Sequence, residues 1–254
     1  DGTEAALKKI VPAIRKRFGR KVRIIVRADS GFAREPIMKW CEQNGVYYVI
    51  GLSRNQRLSP ELEDLFVQMQ EQIDEGALEF PCRRFKDFRY RTLDSWSRLR
   101  RVIGKAEILE KGRNPRFIVT NLPAKGFAGE GVGRFAAAAL YEQLYCGRGE
   151  MENRIKEEQL DLFADRTSTH WLASNQLRLW FSAFAHLLLS VLRAQVLCGT
   201  HFARATIGQI RLQLMKIGAR IRISVRRVRV ELASAYPWQE DFLRAYLNAI
   251  AFSP

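Results

Sequence analysis

Hydrophobic and polar positions in the first fifty residues follow two periods, one helical and one extended. Residues 4–18 and 34–44 repeat apolar side chains at helical spacing, which predicts two helices. Between and after them lie two short β-branched runs, 22–27 and 46–50, that are typical of strands. Strand, helix and strand at this spacing predict an α/β unit.

The pattern changes in the middle of the chain. Residues 60–73 have the spacing of a helix, whereas residues 78–120 alternate apolar, aromatic and basic side chains with turn residues between them. We interpret this stretch as an antiparallel β segment, and the region 52–122 as a β-rich insertion between two α/β parts. The sequence therefore divides into 1–51, 52–122 and a helical remainder, 123–254.

Helical spacing dominates after residue 129. The predicted helices cover 132–146, 150–163, 174–198, 205–216 and 238–251. Residues 219–232 instead alternate Ile and Val with Arg, which predicts a strand with one basic face, although a solvated sheet face gives the same pattern. The most apolar run, 179–192, is too short to span a membrane and predicts a buried core helix.

Charge indicates the kind of partner. The 254 residues carry 42 Lys and Arg against 27 Asp and Glu, a formal net charge of +15. A polyanion such as nucleic acid suits this balance, although a basic, merely solvated surface would also produce it. The four Cys and three His are scattered along the sequence without metal-ligand spacing, so we expect neither zinc sites nor disulfides. So few cysteines in a chain of this length predict a reducing, cytoplasmic setting. Among the histidines, His170 is expected to be structural and His186 a satisfied core residue.

Two acidic residues have neighbours that suggest chemistry. Tyr145, Arg148 and Glu152 fall on one helical face, where the carboxylate could bind a hard cation and the other two could hold a phosphate. An ordinary surface ion pair between Arg148 and Glu152 is the alternative. Asp29 follows a strand at its carboxyl end, where catalytic groups gather in α/β sheets, but a turn or cap Asp occupies the same kind of place.

Taken together, these residues resemble a family. Arg27-Ala-Asp29-Ser-Gly-Phe32, followed much later by Tyr145-Cys-Gly-Arg148-Gly-Glu-Met-Glu152, is similar to the DDE transposases of bacterial insertion sequences. The resemblance implies an α/β, ribonuclease H-like catalytic core interrupted by a β-rich insertion domain, with a helical C-terminal part. The family signature Tyr-x2-Arg-x3-Glu-x6-Lys ends here on Gln159 instead of Lys, and Lys156, one turn earlier, is the expected substitute for the phosphate contact.

The resemblance also implies a mechanism and partners. Asp29 and Glu152 would be catalytic carboxylates that bind two Mg²⁺ ions, with Mn²⁺ as a substitute. The first Asp of the family's triad is expected upstream, so this chain is expected to be an inactive fragment without it. The implied partners are double-stranded DNA, as transposon ends and target, and a second copy in a homodimeric synaptic complex. The implied location is the bacterial cytoplasm, associated with the nucleoid and without a membrane.

Two alternatives to a transposase stay open. One is a ribonuclease H-like nuclease that only hydrolyses, and the other is a non-catalytic, DNA-binding remnant of a transposase. A DNA surface is predicted separately within residues 83–105. This stretch contains nine Lys and Arg but only two Asp, and aromatic residues are interleaved with the basic ones. Its candidate DNA contacts are Trp96, Arg98, Arg100 and Arg101. A core Trp of a small β domain is the alternative for Trp96.

Overall fold

The computed structural model describes residues 2–127 and 133–252, and of Arg148 it describes the backbone only. The chain divides into two compact units, Asp1–Gly149 and Glu150–Pro254. Each unit is described by itself below. The predicted helix over 132–146 begins at the edge of the described residues.

The first unit alternates helices and strands as the local patterns predict. Its helices are α1 Thr3–Phe18, α2 Glu35–Gln43, α3 Glu63–Asp74 and α4 Ala137–Ala139. Its strands are β1 Ile25–Ala28, β2 Tyr47–Leu52, β3 Cys82–Tyr90, β4 Arg100–Leu109, β5 Gly112–Arg113 and β6 Arg116–Thr120. The helix after α4 continues as a π-helical turn, Leu140–Tyr145, and a 3-10 turn, Cys146–Arg148.

Local sequence explains where the early elements stop. Helix α2 starts with Pro36 in its first turn, where the missing N–H costs nothing, and ends at Asn44 before Gly45, whose φ is 60°. Helix α1 ends at Gly19, whose φ is 87°. These boundaries agree with the helices predicted over 4–18 and 34–44.

All described strands of this unit form one six-stranded sheet in the order β1-β2-β6-β4-β3, with β5 on β4. Strands β1 and β2 are parallel, and the remaining pairs are antiparallel. The β-rich segment therefore continues the sheet of β1 and β2 through the β2–β6 pair, which aligns Val49 with Thr120 and Leu52 with Phe117. Strand β6 returns to the edge of β2, so the strands of 52–122 share one sheet with β1 and β2. The division into three parts stays a prediction.

Both faces of this sheet are buried. Successive residues of β2 and β6 point to opposite faces, as the period of a strand requires. Tyr48, Ile50 and Val119 belong to one apolar cluster, and Val49 and Ile118 to the other. The sheet is thus a middle layer, and its carboxyl edge beside β1 and β2 is the place where polar groups can gather.

The second unit is mainly helical. Its helices are α5 Gly149–Lys156, which starts at the unit boundary, α6 Leu172–Val191, α7 Ile207–Gln209 and α8 Gln239–Phe252. Its strands are β7 Ala219–Ile223 and β8 Val228–Leu232. The single strand predicted over 219–232 is wrong, because Ser224 and Arg227 close a turn inside it through hydrogen bonds to each other.

The prediction of a buried core helix over 179–192 is also wrong. Only Ser182 and Leu189 are buried in α6, whereas Trp180, Phe181 and Phe184 are at least 60% exposed. The helix is apolar on all sides, so packing one side into the core of its unit leaves the rest exposed. Among the described residues, Leu172–Val196 is long and apolar enough to cross a membrane, but one such helix is weak evidence for a span.

Candidate active-site edge

Asp29 stands at the carboxyl end of β1. Its backbone is extended, and its Oδ1 accepts a hydrogen bond from the N–H of Gly31 at 3.0 Å, which caps the 3-10 turn Ser30–Phe32. The side chain is exposed. Asp29 thus lies at a strand end and also caps a turn, which are the two alternatives that the sequence left open. One residue can do both.

Gly51 brings Tyr145 to the same edge. Strand β2 pairs with β1 so that Ile50 lies opposite Ala28, which places Gly51 beside Asp29. A Cβ on Gly51 would lie 2.6 Å from the hydroxyl oxygen of Tyr145 and 2.9 Å from the backbone nitrogen of Ser30. Only a residue without a side chain leaves room for the Tyr145 hydroxyl over the end of β2. Sequence reasoning missed Gly51; a glycine inside an apolar strand was the available signal.

Substituting Gly51 by Ala is expected to lower the free energy of unfolding by about 1–3 kcal/mol, because the new methyl group overlaps Tyr145 and the Ser30 backbone. Thermal or denaturant unfolding measures it. Gly218→Ala is the matched control, since a Cβ there meets nothing within 4 Å. Adding Tyr145→Phe to Gly51→Ala should recover part of the loss. An unchanged unfolding midpoint for Gly51→Ala would show that Tyr145 does not lie where we describe it.

A second contact holds the helical turn that carries Tyr145. The guanidinium of Arg27, on β1, donates from Nη1 to the carbonyl oxygen of Leu144 at 3.1 Å. The Tyr145 ring packs against Tyr141, with ring centroids 5.4 Å apart. Residues 27 and 29 of the first motif and residue 145 of the second therefore meet at one edge of the sheet.

A polar pocket of about 400 Å³ opens at this edge. The residues that line it and bear on its chemistry are Ser30, Ser53, Arg54, Arg116, Tyr141 and Tyr145. The lining contains two guanidinium groups and no carboxylate. Burial raises the pKa of the Tyr141 hydroxyl well above its ordinary value of 10, so this group stays protonated and can donate. The pocket suits an anion with several oxygen acceptors, such as a phosphodiester.

The remaining residues of the Tyr-Arg-Glu pattern lie on either side of the unit boundary. Arg148 ends the 3-10 turn, and its side chain lies outside what the structure describes. In the second unit, Glu152 lies in the first turn of α5 and is exposed. Lys156 ends the same helix, Gln159 lies in the π-helical turn after it, and both are exposed.

Glu157, the first residue of the π-helical turn after α5, is a buried acidic residue to which sequence reasoning gave no role. It is 7% exposed and accepts hydrogen bonds from Arg154 at 2.7 Å and from Arg193 at 3.1 and 3.2 Å. Nε2 of His186 lies 3.8 Å from it, buried and without a hydrogen-bond partner among the described residues, so the prediction of a satisfied core histidine is wrong. In a run of charged residues, nothing local distinguishes the buried acid from its exposed neighbours.

The structure corrects three of the four predicted DNA contacts in 83–105, because it buries the side chains of Trp96, Arg100 and Arg101. Trp96 is 5% exposed and packs edge-on against Tyr90, so it is a core residue. Arg100 is 2% exposed and forms ion pairs with Glu35 and Glu42. These side chains are turned inward, which does not fit a contact with DNA.

Arg100 and Arg101 each hold elements together. Arg100 donates to Glu35 at 2.6 Å and to Glu42 at 2.7 Å, which ties β4 to α2. Arg101, 5% exposed, bonds Asp87 and the carbonyl oxygens of Leu122 and Phe135. Arg98 alone keeps an exposed side chain, at 65%, and remains a predicted DNA contact.

Asp29 is the candidate metal ligand at this edge. Asp29 has the carboxylate chemistry that a hard cation prefers. Among the described residues, however, no group of three or more His, Cys, Asp or Glu side chains could hold a metal ion. The described residues thus do not form a complete metal site.

The first unit is thus a mixed α/β fold that presents an exposed carboxylate, a tyrosine hydroxyl and a basic pocket at one sheet edge, and these groups suit a phosphodiester. The family model for the transposase DDE domain, group 1, matches residues 1–252, and the chain belongs to this family. No curated protein matches it. Membership makes the protein a transposase that binds DNA, and the resemblance to the DDE family stated from the two motifs is confirmed.

Proposed function

We propose that the protein catalyses metal-dependent DNA strand cleavage and strand transfer, moving an insertion sequence from one DNA site to another. The observation that carries this proposal is the meeting of Asp29, the Tyr145 hydroxyl and a basic pocket at one sheet edge. A carboxylate beside phosphate-binding donors is what phosphoryl transfer on DNA requires. The family match supports the same conclusion.

Asp29 and Glu152 act in this proposal as two of the three acidic metal ligands. Divalent ions, Mg²⁺ or Mn²⁺ in its place, would activate the attacking water or 3′ hydroxyl and stabilise the leaving oxygen. Asp29 can serve without losing its local structure, since only its Oδ1 is engaged by the Gly31 N–H.

The DNA strand to be cut is held by donors around Asp29. Arg54 forms no ion pair or hydrogen bond within the described part of the chain, and Arg116 donates its Nε to Asn114 at 3.1 Å without an ion pair there. Both can therefore pair with a phosphate without breaking an existing ion pair. Tyr145 supplies a hydroxyl beside them.

Further DNA contacts follow from the family pattern. We propose that Arg148, Lys156, Gln159 and Arg98 contact the transposon end, which is double-stranded DNA, as is the target. A homodimer would bring two ends together in a synaptic complex.

Strand transfer separates this function from its rivals. The full-length protein, given a pre-cut transposon end with a free 3′ hydroxyl, Mg²⁺ and a plasmid target, is expected to join the end to the target. Gel electrophoresis of the labelled end measures the joined product. Hydrolysis of an uncut end without any joining would indicate a nuclease. Binding of the end without either reaction would indicate a non-catalytic remnant.

A further inference from the structure

A two-stranded ribbon in the second unit carries charge that the active-site edge does not use. We call residues 219–232 the arginine ribbon. Its strands β7 and β8 are antiparallel, and its base is closed by a hydrogen bond from the Ala233 N–H to the Gly218 carbonyl at 2.9 Å. Every residue of the ribbon is exposed except Glu231, which is half-buried. Both faces of the ribbon are therefore open within the described structure.

The register sorts the ribbon into a basic and an apolar face. Residues directly opposite each other in an antiparallel pair share a face. Arg220 lies opposite Glu231, and Arg222 lies opposite Arg229. The apolar face carries Ile221 and Ile223 with their partners Val230 and Val228. Two further arginines, at 226 and 227, lie in the turn at the tip.

The basic face has too little negative charge of its own. Like charges directly opposite each other destabilise a strand pair, and Arg222 and Arg229 are such a pair. Both share the carboxylate of Glu231, at 3.9 and 3.3 Å. With five arginines against this one acid, the ribbon carries an excess of four positive charges. An external polyanion would supply the missing counter-charge.

The shape of the ribbon favours duplex DNA over other polyanions. The major groove of B-DNA is about 12 Å wide and admits a two-stranded β-ribbon. An isolated two-stranded hairpin is only marginally stable in water, so a partner that covers one face stabilises it. Arginines on one face and in the turn at the tip supply several guanidinium donors for the phosphates that border such a groove.

We propose that the basic face of the arginine ribbon binds double-stranded DNA through its phosphates, as a contact surface separate from the active-site edge. The choice of DNA as the polyanion rests on the proposed function. The contact itself needs no metal and no catalysis. Binding measured in EDTA therefore reports DNA contact without catalysis, and substitutions within the ribbon isolate its share of that contact. Strand transfer in Mg²⁺ tests the enzyme.

The test is equilibrium binding of a labelled 25-base-pair duplex in EDTA over a series of salt concentrations. Removing two phosphate contacts with Arg222→Gln/Arg229→Gln is expected to weaken binding about ten- to a hundredfold and to reduce the slope of log K against log salt by about 2. Glu231→Gln removes the internal counter-charge and is expected to tighten binding about fivefold. A folding defect would weaken DNA binding, so tighter binding by Glu231→Gln cannot result from misfolding.

The apolar face provides the matched control. Ile223→Thr/Val228→Thr changes the same strands without changing charge and is expected to leave the affinity and the salt slope unchanged. An unaltered slope for Arg222→Gln/Arg229→Gln overturns the proposal. The proposal is also overturned if Arg222→Gln/Arg229→Gln loses binding to phosphatidylserine vesicles but retains DNA binding. The ribbon would then be a membrane contact.

Discussion

Asp29→Asn in the full-length protein is expected to abolish DNA strand cleavage, by a factor on the order of 10³ or more, while leaving binding of the transposon end intact. Asn keeps the side-chain oxygen that caps the Gly31 N–H, so the turn Ser30–Phe32 should survive the change. What is lost is the negative charge at the end of β1. Single-turnover cleavage of a labelled end, beside a binding titration, measures both effects.

Glu152→Gln should give the same separation of cleavage from binding. Its matched control is Glu150→Gln, a neighbouring exposed carboxylate in the first turn of α5 that has no assigned role. That control should cleave at the rate of the unaltered protein. If Asp29→Asn or Glu152→Gln cleaves normally, the assignment of that residue to the active site is wrong.

The largest effect on stability is expected at Arg100. Arg100→Met removes the buried guanidinium that neutralises the partly buried carboxylates of Glu35 and Glu42, which should lower the free energy of unfolding by about 3–5 kcal/mol. Arg98→Met is the matched control, because its side chain is 65% exposed and its ion pair with Glu42 is long, at 3.6 Å. That change should lower the unfolding free energy by at most about 1 kcal/mol.

The pH dependence of unfolding checks the same ion pairs. Burial opposes the charge of Glu35, but hydrogen bonds from Arg100 and Ser97 outweigh it and bring its pKa below the ordinary 4.5. Its stabilising contribution is therefore complete above about pH 4.5 and is lost as the pH falls through the lowered pKa. Because Arg100→Met removes this interaction, its free energy of unfolding should fall less on acidification than that of the unaltered protein, as measured by denaturant unfolding. A variant that binds DNA poorly yet unfolds normally would restore the DNA role for Arg100.

Local patterns in the sequence were sufficient for the positions of α1, α2, β1 and β2, and for Asp29 at a strand end. These features depend on residues near one another in the chain: periodic apolar positions, β-branched runs, and the glycines that end helices. The two family motifs added the family itself, which the family match confirms, whereas spacing alone left Asp29 and Glu152 open to ordinary explanations.

Features that depend on distant contacts could not be predicted in this way. The basic, aromatic stretch 83–105 has the composition of a DNA surface, yet Trp96 and Arg100 face inward because α2 supplies Glu35 and Glu42 from far away in sequence. The pairing of β6 with β2 is likewise set by tertiary packing. Gly51 carries a site role only because a tyrosine 94 positions later reaches it.

Measuring Mn²⁺ binding tests directly whether Asp29 is a metal ligand. The decisive experiment counts Mn²⁺ bound to the full-length protein on an uncleavable DNA end, by the electron paramagnetic resonance of free Mn²⁺, for the unaltered protein and for Asp29→Asn. Loss of a ligand carboxylate is expected to weaken Mn²⁺ binding at least about tenfold, since even outer-shell partners of a metal site have effects of that size. Equal Mn²⁺ affinity and stoichiometry in the two proteins would contradict the assignment of Asp29 to the catalytic site.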